Sequence, residues 1–184
     1  MAVSNLLLPV LLLASALWHG QTRPADFVCD GDTRVKMNQV KELEAMVAEC
    51  SSVNPLPSQI HLPRTRINVA AWKRKSVHEK RGEILLSLET LVQDVKAARK
   101  LVESGCGSSM LERLEHSAKN YLHIVSHLSI KAEPGNVDSP SQNKQTQDIG
   151  QVLKYFGQLL KGRLEWLIGD LKDSCRREEQ GFSS

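Results

Sequence analysis

The chain has 184 residues, of which 41% are apolar and 24% charged, and 24 basic side chains against 21 acidic ones leave a net charge of +3. One ordinary domain fits that length, the apolar content excludes a disordered chain, and the near balance of charge does not point to nucleic acid. Aromatic residues make up only 4%, which argues against a sandwich or barrel of aromatic and β-branched strands.

The first 22 residues carry no Asp, Glu, Lys or Arg, and Leu6 to Leu17 is an almost continuous apolar run. That run is short for a bilayer span, and Ala14-Ser15-Ala16 is a small-x-small cleavage signal. Residues 1–20 therefore read as a secretory signal peptide, with the cut between 16 and 22. No basic residue precedes the run, which leaves an uncleaved anchor as the alternative. No later segment is apolar enough for a membrane helix, so the expected product is secreted and does not insert into membranes. In that oxidising setting the four cysteines, Cys29, Cys50, Cys106 and Cys175, suggest two disulfides with three possible connectivities. None forms a C-x-x-C pair, which disfavours a zinc ribbon or a thioredoxin motif.

Four helical segments and no convincing strand follow. Segment A spans about Asp32 to Glu49, with Val40, Leu43 and Val47 at helical spacing and Asp30 or Asp32 as cap. Ser51 to Lys75 holds Pro55, Pro57 and Pro63 and reads as a long connection without helical period. Segment B opens on a capping box, Ser76-x-x-Glu79, and carries the stripe Ile84, Leu88, Leu91, Val95, Ala98 and Val102 before Gly105 stops it. Segment C is expected to start at a second box, Ser109-x-x-Glu112, with Leu111, Leu114, Ala118, Tyr121, Leu122, Val125 and Leu128 as its stripe. Lys131 to Gln147 is a second long polar connection. Segment D runs from Asp148 to about Ser174 on Leu153, Phe156, Leu160, Leu164, Leu167 and Leu171.

The pattern predicts an all-α, long-chain four-helix bundle. Connections that are long, short and long allow A up, B up, C down, D down, with two crossover loops spanning helices of about 30 Å. In that order Cys50 and Cys106 share one pole, and Cys29 and Cys175 share the other. The alternating up-down order would hold Cys50 and Cys106 beyond the roughly 7 Å that bridged Cα atoms allow.

Catalytic motifs are absent: no phosphate loop, dinucleotide fingerprint, zinc-protease helix or nucleophile elbow occurs. His116, His123 and His127 share one face of segment C, but that face lies opposite the apolar stripe and reads as solvated surface rather than a metal site. No cofactor is expected. Lys73-Arg74-Lys75 with Lys80-Arg81 suggests either a heparin or acidic-partner patch or a solvated helix approach. On segment D, Trp166 sits roughly 120° from the stripe centre, on one flank with Tyr155 and Leu159 and near Gly162. An exposed aromatic beside a glycine and basic residues fits a protein-binding anchor. A helical carrier of an apolar ligand or metal is a rival, but it needs inward polar residues that the stripes largely lack.

Cys29-Asp30 before segment A, a Pro-rich loop ending in Trp72-Lys73, and Leu159-Leu160-Lys161-Gly162-Arg163-Leu164 in segment D resemble the erythropoietin/thrombopoietin family of four-helix cytokines. The resemblance covers roughly Cys29 to Arg177. Val53-Asn54-Pro55-Leu56-Pro57, Leu62-Pro63 and Ala97-Ala98-Arg99 before Cys106 look like the thrombopoietin branch, whereas Ala71-Trp72-Lys73-Arg74 echoes the erythropoietin branch. Arg163 stands where the family usually has Lys, Trp166 where the thrombopoietin branch has another aromatic, and Glu165 where a basic residue is frequent. The resemblance implies a four-helix cytokine domain over residues 21–177 and a flexible tail over 178–184. It implies a monomeric ligand that dimerises two class I cytokine receptor chains of thrombopoietin type and triggers Janus kinase–STAT signalling for megakaryocyte and thrombocyte production. An erythropoietin-type hormone for red-cell precursors is the alternative. The implied receptor residues are Lys161, Gly162, Arg163 and Trp166 on segment D, Trp72 and Lys73 in the A–B loop, and Asp30 and Arg34 near the start of segment A.

Overall fold

The computed structural model describes residues 24–50, 53–63, 68–130, 144–172 and 175. The expected signal peptide and the expected tail over 178–184 lie outside them. Segment A is not one helix. Pro24–Cys29 (α1) precedes it, and its body divides into Gly31–Met37 (α2) and Val40–Glu49 (α3). Of the two candidate caps, Asp30 is the one used, accepting from the Asp32 N–H at 2.9 Å. The division at Asn38 has a local cause: its side chain accepts from the Val40 N–H and its backbone is extended, so it competes with the helical ladder. Helix α1 was not foreseen, yet its Phe27 is fully buried and meets Tyr121 edge-on, as Tyr121 meets Phe156.

Segment B is the helix Val77–Leu101 (α5), opened by the complete capping box of Ser76 and Glu79. Hydrogen bonds from Ser76, chiefly its backbone N–H, hold the Glu79 carboxyl below its ordinary range. Segment C begins earlier than its motif suggests. The helix Cys106–Ser126 (α6) starts behind Gly105 without a side-chain cap, and the Ser109 N–H already bonds the Gly105 carbonyl. The Cys50 disulfide at Cys106 anchors that first turn, so Ser109 lies inside the helix rather than capping it.

The connections also carry structure that periodicity did not reveal. Ile60–Leu62 (β1) and Lys144–Thr146 (β2) pair antiparallel, with Ile60 opposite Thr146 and Leu62 opposite Lys144. Three-residue strands are too short for an alternating pattern to stand out. Asp94 of α5 ties this ribbon to the bundle: it accepts from the His61 N–H at 2.7 Å and meets His61 Nδ1 at 3.0 Å. The first connection further contains the helix Val69–Arg74 (α4), capped by Asn68.

Segment D comprises Ile149–Gln158 (α7), a π-helical stretch Leu159–Leu164, and Glu165–Leu171 (α8). Cys29 is bonded to Cys175, with Cα atoms 5.7 Å apart, and Cys50 to Cys106, with 5.9 Å. The start of A therefore meets the end of D, and the end of A meets the start of C. With the short turn between α5 and α6, that makes A and B run one way and C and D the other. The core runs along the bundle axis through Leu43, Ile84, Leu88, Leu91, Leu114, Phe156 and Leu167. One polar group is built into the B–C seam. Glu115, 1% exposed, accepts from Arg99 and Lys119. Burial pushes its carboxyl up, but the hydrogen bonds from Lys119 and Arg99 outweigh that and hold it below its ordinary value.

Candidate functional site

The exposed face of segment D is set by its middle turn. Counted as a regular α-helix at about 100° per residue, Trp166 falls within about 20° of both Tyr155 and Leu159. Those two are buried, each 3% exposed, whereas Trp166 is 41% exposed. The π-helical stretch separates them. Its i→i+5 bonds take up one extra residue, so everything downstream lags by about 100°. The shared flank expected from the sequence is therefore split. Tyr155 and Leu159 turn into the core, with Ile168 joining it below, and Trp166 turns outward. Burial pushes the Tyr155 phenol up.

Trp166 leans on Trp72, with ring centroids 6.4 Å apart and planes inclined by 57°. Trp72 is the inner partner. It is 4% exposed, and its indole N–H finds no hydrogen-bond partner among the described residues. The Arg163 guanidinium lies 5.9 Å from the Trp72 ring centroid and the Lys80 ammonium 6.0 Å, both at cation–π range. Burial lowers the Arg163 pKa. Trp72, expected as a surface contact, is thus core; the amphipathic α4 turns it inward while Lys73 and Arg74 stay exposed.

The other expected residues divide similarly. Lys161 is exposed, and among the described residues a Cβ built on Gly162 would meet nothing within 4 Å, which leaves open space over that glycine. Asp30 is exposed and spent on capping, where the Thr33 hydroxyl and the Asp32 N–H hold its carboxyl low. Arg34 points inward. Its guanidinium donates to the carbonyls of Phe27, Val28 and Asp30 and to Glu165 Oε1 at 3.0 Å. The basic run around Lys73 is also broken up: Lys75 pairs with Glu83, Lys80 with Asp170, and Arg81 donates to the Ser126 carbonyl. Sequence reasoning missed Glu165 and Asp170 as surface carboxylates tied to buried cations; only contact geometry reveals such pairs.

His123 and His127, both exposed at the end of α6, have ring centroids 4.3 Å apart with planes inclined by 41°, and His127 Nδ1 is 2.8 Å from the His123 carbonyl. Among the described residues no three His, Cys, Asp or Glu side chains converge as a metal site, and no helix is long and apolar enough to cross a membrane. Segment D thus carries an exposed aromatic, a glycine with open space over it and exposed lysines.

A four-helix bundle that runs up, up, down, down is the architecture of the four-helix cytokines. The family model for erythropoietin/thrombopoietin matches residues 27–178, and the chain belongs to that family. The family consists of secreted cytokine hormones, which are not enzymes. The chain is 27% identical to thrombopoietin of Rattus norvegicus over 171 residues, covering 91% of this chain and 50% of that protein. Thrombopoietin of Mus musculus is also 27% identical, over 91% of this chain and 46% of its own length. Erythropoietin of Alexandromys oeconomus is 25% identical over 95% of both chains. The chain thus spans about half the length of the thrombopoietins it matches.

Proposed function

We propose that this protein is a secreted hormone of thrombopoietin type. It binds and dimerises a class I cytokine receptor, two receptor chains to one monomeric ligand, and drives Janus kinase–STAT signalling toward megakaryocyte or thrombocyte production. The observation that carries the reading is Trp166, turned out of the core by the π-helical turn and flanked by Lys161, Gly162 and Arg163. A large aromatic presented on a rigid, basic surface suits the centre of a protein interface. Residues 1–20 act as the signal peptide that delivers the folded domain to the oxidising compartment its two disulfides require. The Val53 to Pro57 loop motif supports the thrombopoietin branch.

An erythropoietin-type hormone is the second reading. It is supported by Ala71-Trp72-Lys73-Arg74 and by the match to an erythropoietin across 95% of both chains. Cells displaying either the thrombopoietin-type or the erythropoietin-type receptor of the same species decide between them. STAT phosphorylation in the first alone supports the proposal, in the second alone the alternative, and in neither overturns both.

A further inference from the structure

Within residues 149–172 the carboxylates are Glu165 and Asp170, and each is met by a cation rooted in another helix. Arg34 of α2 reaches Glu165 Oε1 at 3.0 Å, and Lys80 of α5 reaches Asp170 Oδ2 at 2.8 Å. In both pairs the cation lies beneath and the acid lies above: side-chain exposure is 10% for Arg34 against 42% for Glu165, and 7% for Lys80 against 39% for Asp170. A cation that deep carries a large desolvation cost unless a carboxylate accompanies it, so each pair is held together from below. Seen from outside, each pair cancels its own charge. Lys154, Lys161 and Lys172 remain exposed along the same segment, as does Trp166.

We infer that Arg34 and Lys80 are charge-masking residues: by neutralising Glu165 and Asp170 they leave helix D with a basic, aromatic outer face, matched to an acidic receptor surface with an apolar pocket. Arg34 then acts through Glu165 and not as a receptor contact; three of its hydrogen bonds go to backbone carbonyls of this chain. Glu165 is the chain neighbour of Trp166. An unpaired carboxylate there would face the acidic partner at the interface centre and slow encounter, the step that long-range charge controls. The inference rests on the receptor reading above.

The test measures association rates with thrombopoietin-type and erythropoietin-type receptor ectodomains, at low and at physiological salt. The proteins are wild type, Arg34→Gln, Glu165→Gln and the double variant, each checked for helicity. Masking predicts that Arg34→Gln slows association by about three-fold or more at low salt and less at physiological salt, as for loss of a steering charge. Glu165→Gln alone should associate as fast as wild type or faster. The double variant should return to within about two-fold of wild type, because the exposed acid has gone with its mask. A double variant as slow as Arg34→Gln makes Arg34 a contact or an anchor and overturns the inference. So does slower association of Glu165→Gln, an outcome readable even if Arg34→Gln does not fold. Wild type that binds neither ectodomain overturns the receptor reading and the mask with it; wild type that binds while the coupling is absent overturns the mask alone.

Discussion

Trp72 and Trp166 form an inner and outer pair: their rings are 6.4 Å apart, yet one is 4% exposed and the other 41%. The pair joins the A–B connection to helix D and divides two roles that the sequence offered together. Trp72→Ala should cost about 3–5 kcal/mol of stability, the range for emptying a buried aromatic site. Trp72→Phe should cost much less, because it keeps the ring and deletes an indole N–H that has no partner among the described residues. Urea unfolding of the two variants checks this; equal losses would show that Trp72 is held by something other than packing.

Gly162 gives a cleaner separation of fold from recognition. A methyl group there meets no other atom of the described residues within 4 Å. Gly162→Ala should therefore raise stability by about 0.5–1 kcal/mol through helix propensity. If a receptor backbone approaches at this point, the same methyl group should weaken binding. Thermal melting and receptor titration on one preparation test both; a lowered melting temperature would mean that the π-helical turn needs glycine for its own backbone.

The disulfides should be unequal. The outer bridge has a sequence separation of 146 and the inner one of 56. Loop-closure entropy then gives about 5 and about 4 kcal/mol respectively, a large share of a domain's stability. Replacing Cys29 and Cys175 together by Ala should lower the urea midpoint more than replacing Cys50 and Cys106. The reverse order would show that strain or residual structure in the unfolded chain outweighs loop length.

What the sequence carried and what it did not have separate physical causes. Burial on one face imposes a period, so the stripes of segments B, C and D were readable, and the Ser76 box is visible because capping needs particular side chains three apart. The poles of the cysteines followed from loop lengths. The Ser109 box misled because a disulfide at Cys106 starts the helix a turn earlier. The ribbon of β1 and β2 is too short to carry a pattern. The π-helical turn leaves no signature in composition, yet it decides that Trp166 faces out while Tyr155 and Leu159 face in. Arg34 and Trp72 were placed on the surface by motif; their partners, carbonyl oxygens in one case and a second indole in the other, are long-range or backbone groups that residue identity does not specify.

Glu115 makes stability depend on acid in a defined sense. Its folded pKa lies below the ordinary 4.5, so its contribution is full above that value and drains away as pH falls through the folded pKa. At neutral pH Glu115→Gln should lose about 1–3 kcal/mol, since two charge-assisted hydrogen bonds go while Arg99 and Lys119 stay partly solvated. The gap between wild type and variant should narrow as pH drops below 4.5. Chemical denaturation across that range checks it, and a gap independent of pH would mean that the carboxylate is not held ionised by its neighbours.

The most direct measurement compares wild type with Trp166→Ala for affinity to the receptor ectodomain that wild type binds, alongside thermal stability. Removing an anchor at an interface centre costs about 2–4 kcal/mol, or roughly 30- to 1,000-fold in affinity. Trp166 is only partly buried, so its loss should lower stability by about 1–2 kcal/mol, well short of that for Trp72. A fall in affinity of that size with helicity retained is the predicted result. Unchanged affinity in a well-folded Trp166→Ala protein would contradict the assignment of helix D as the receptor-binding face.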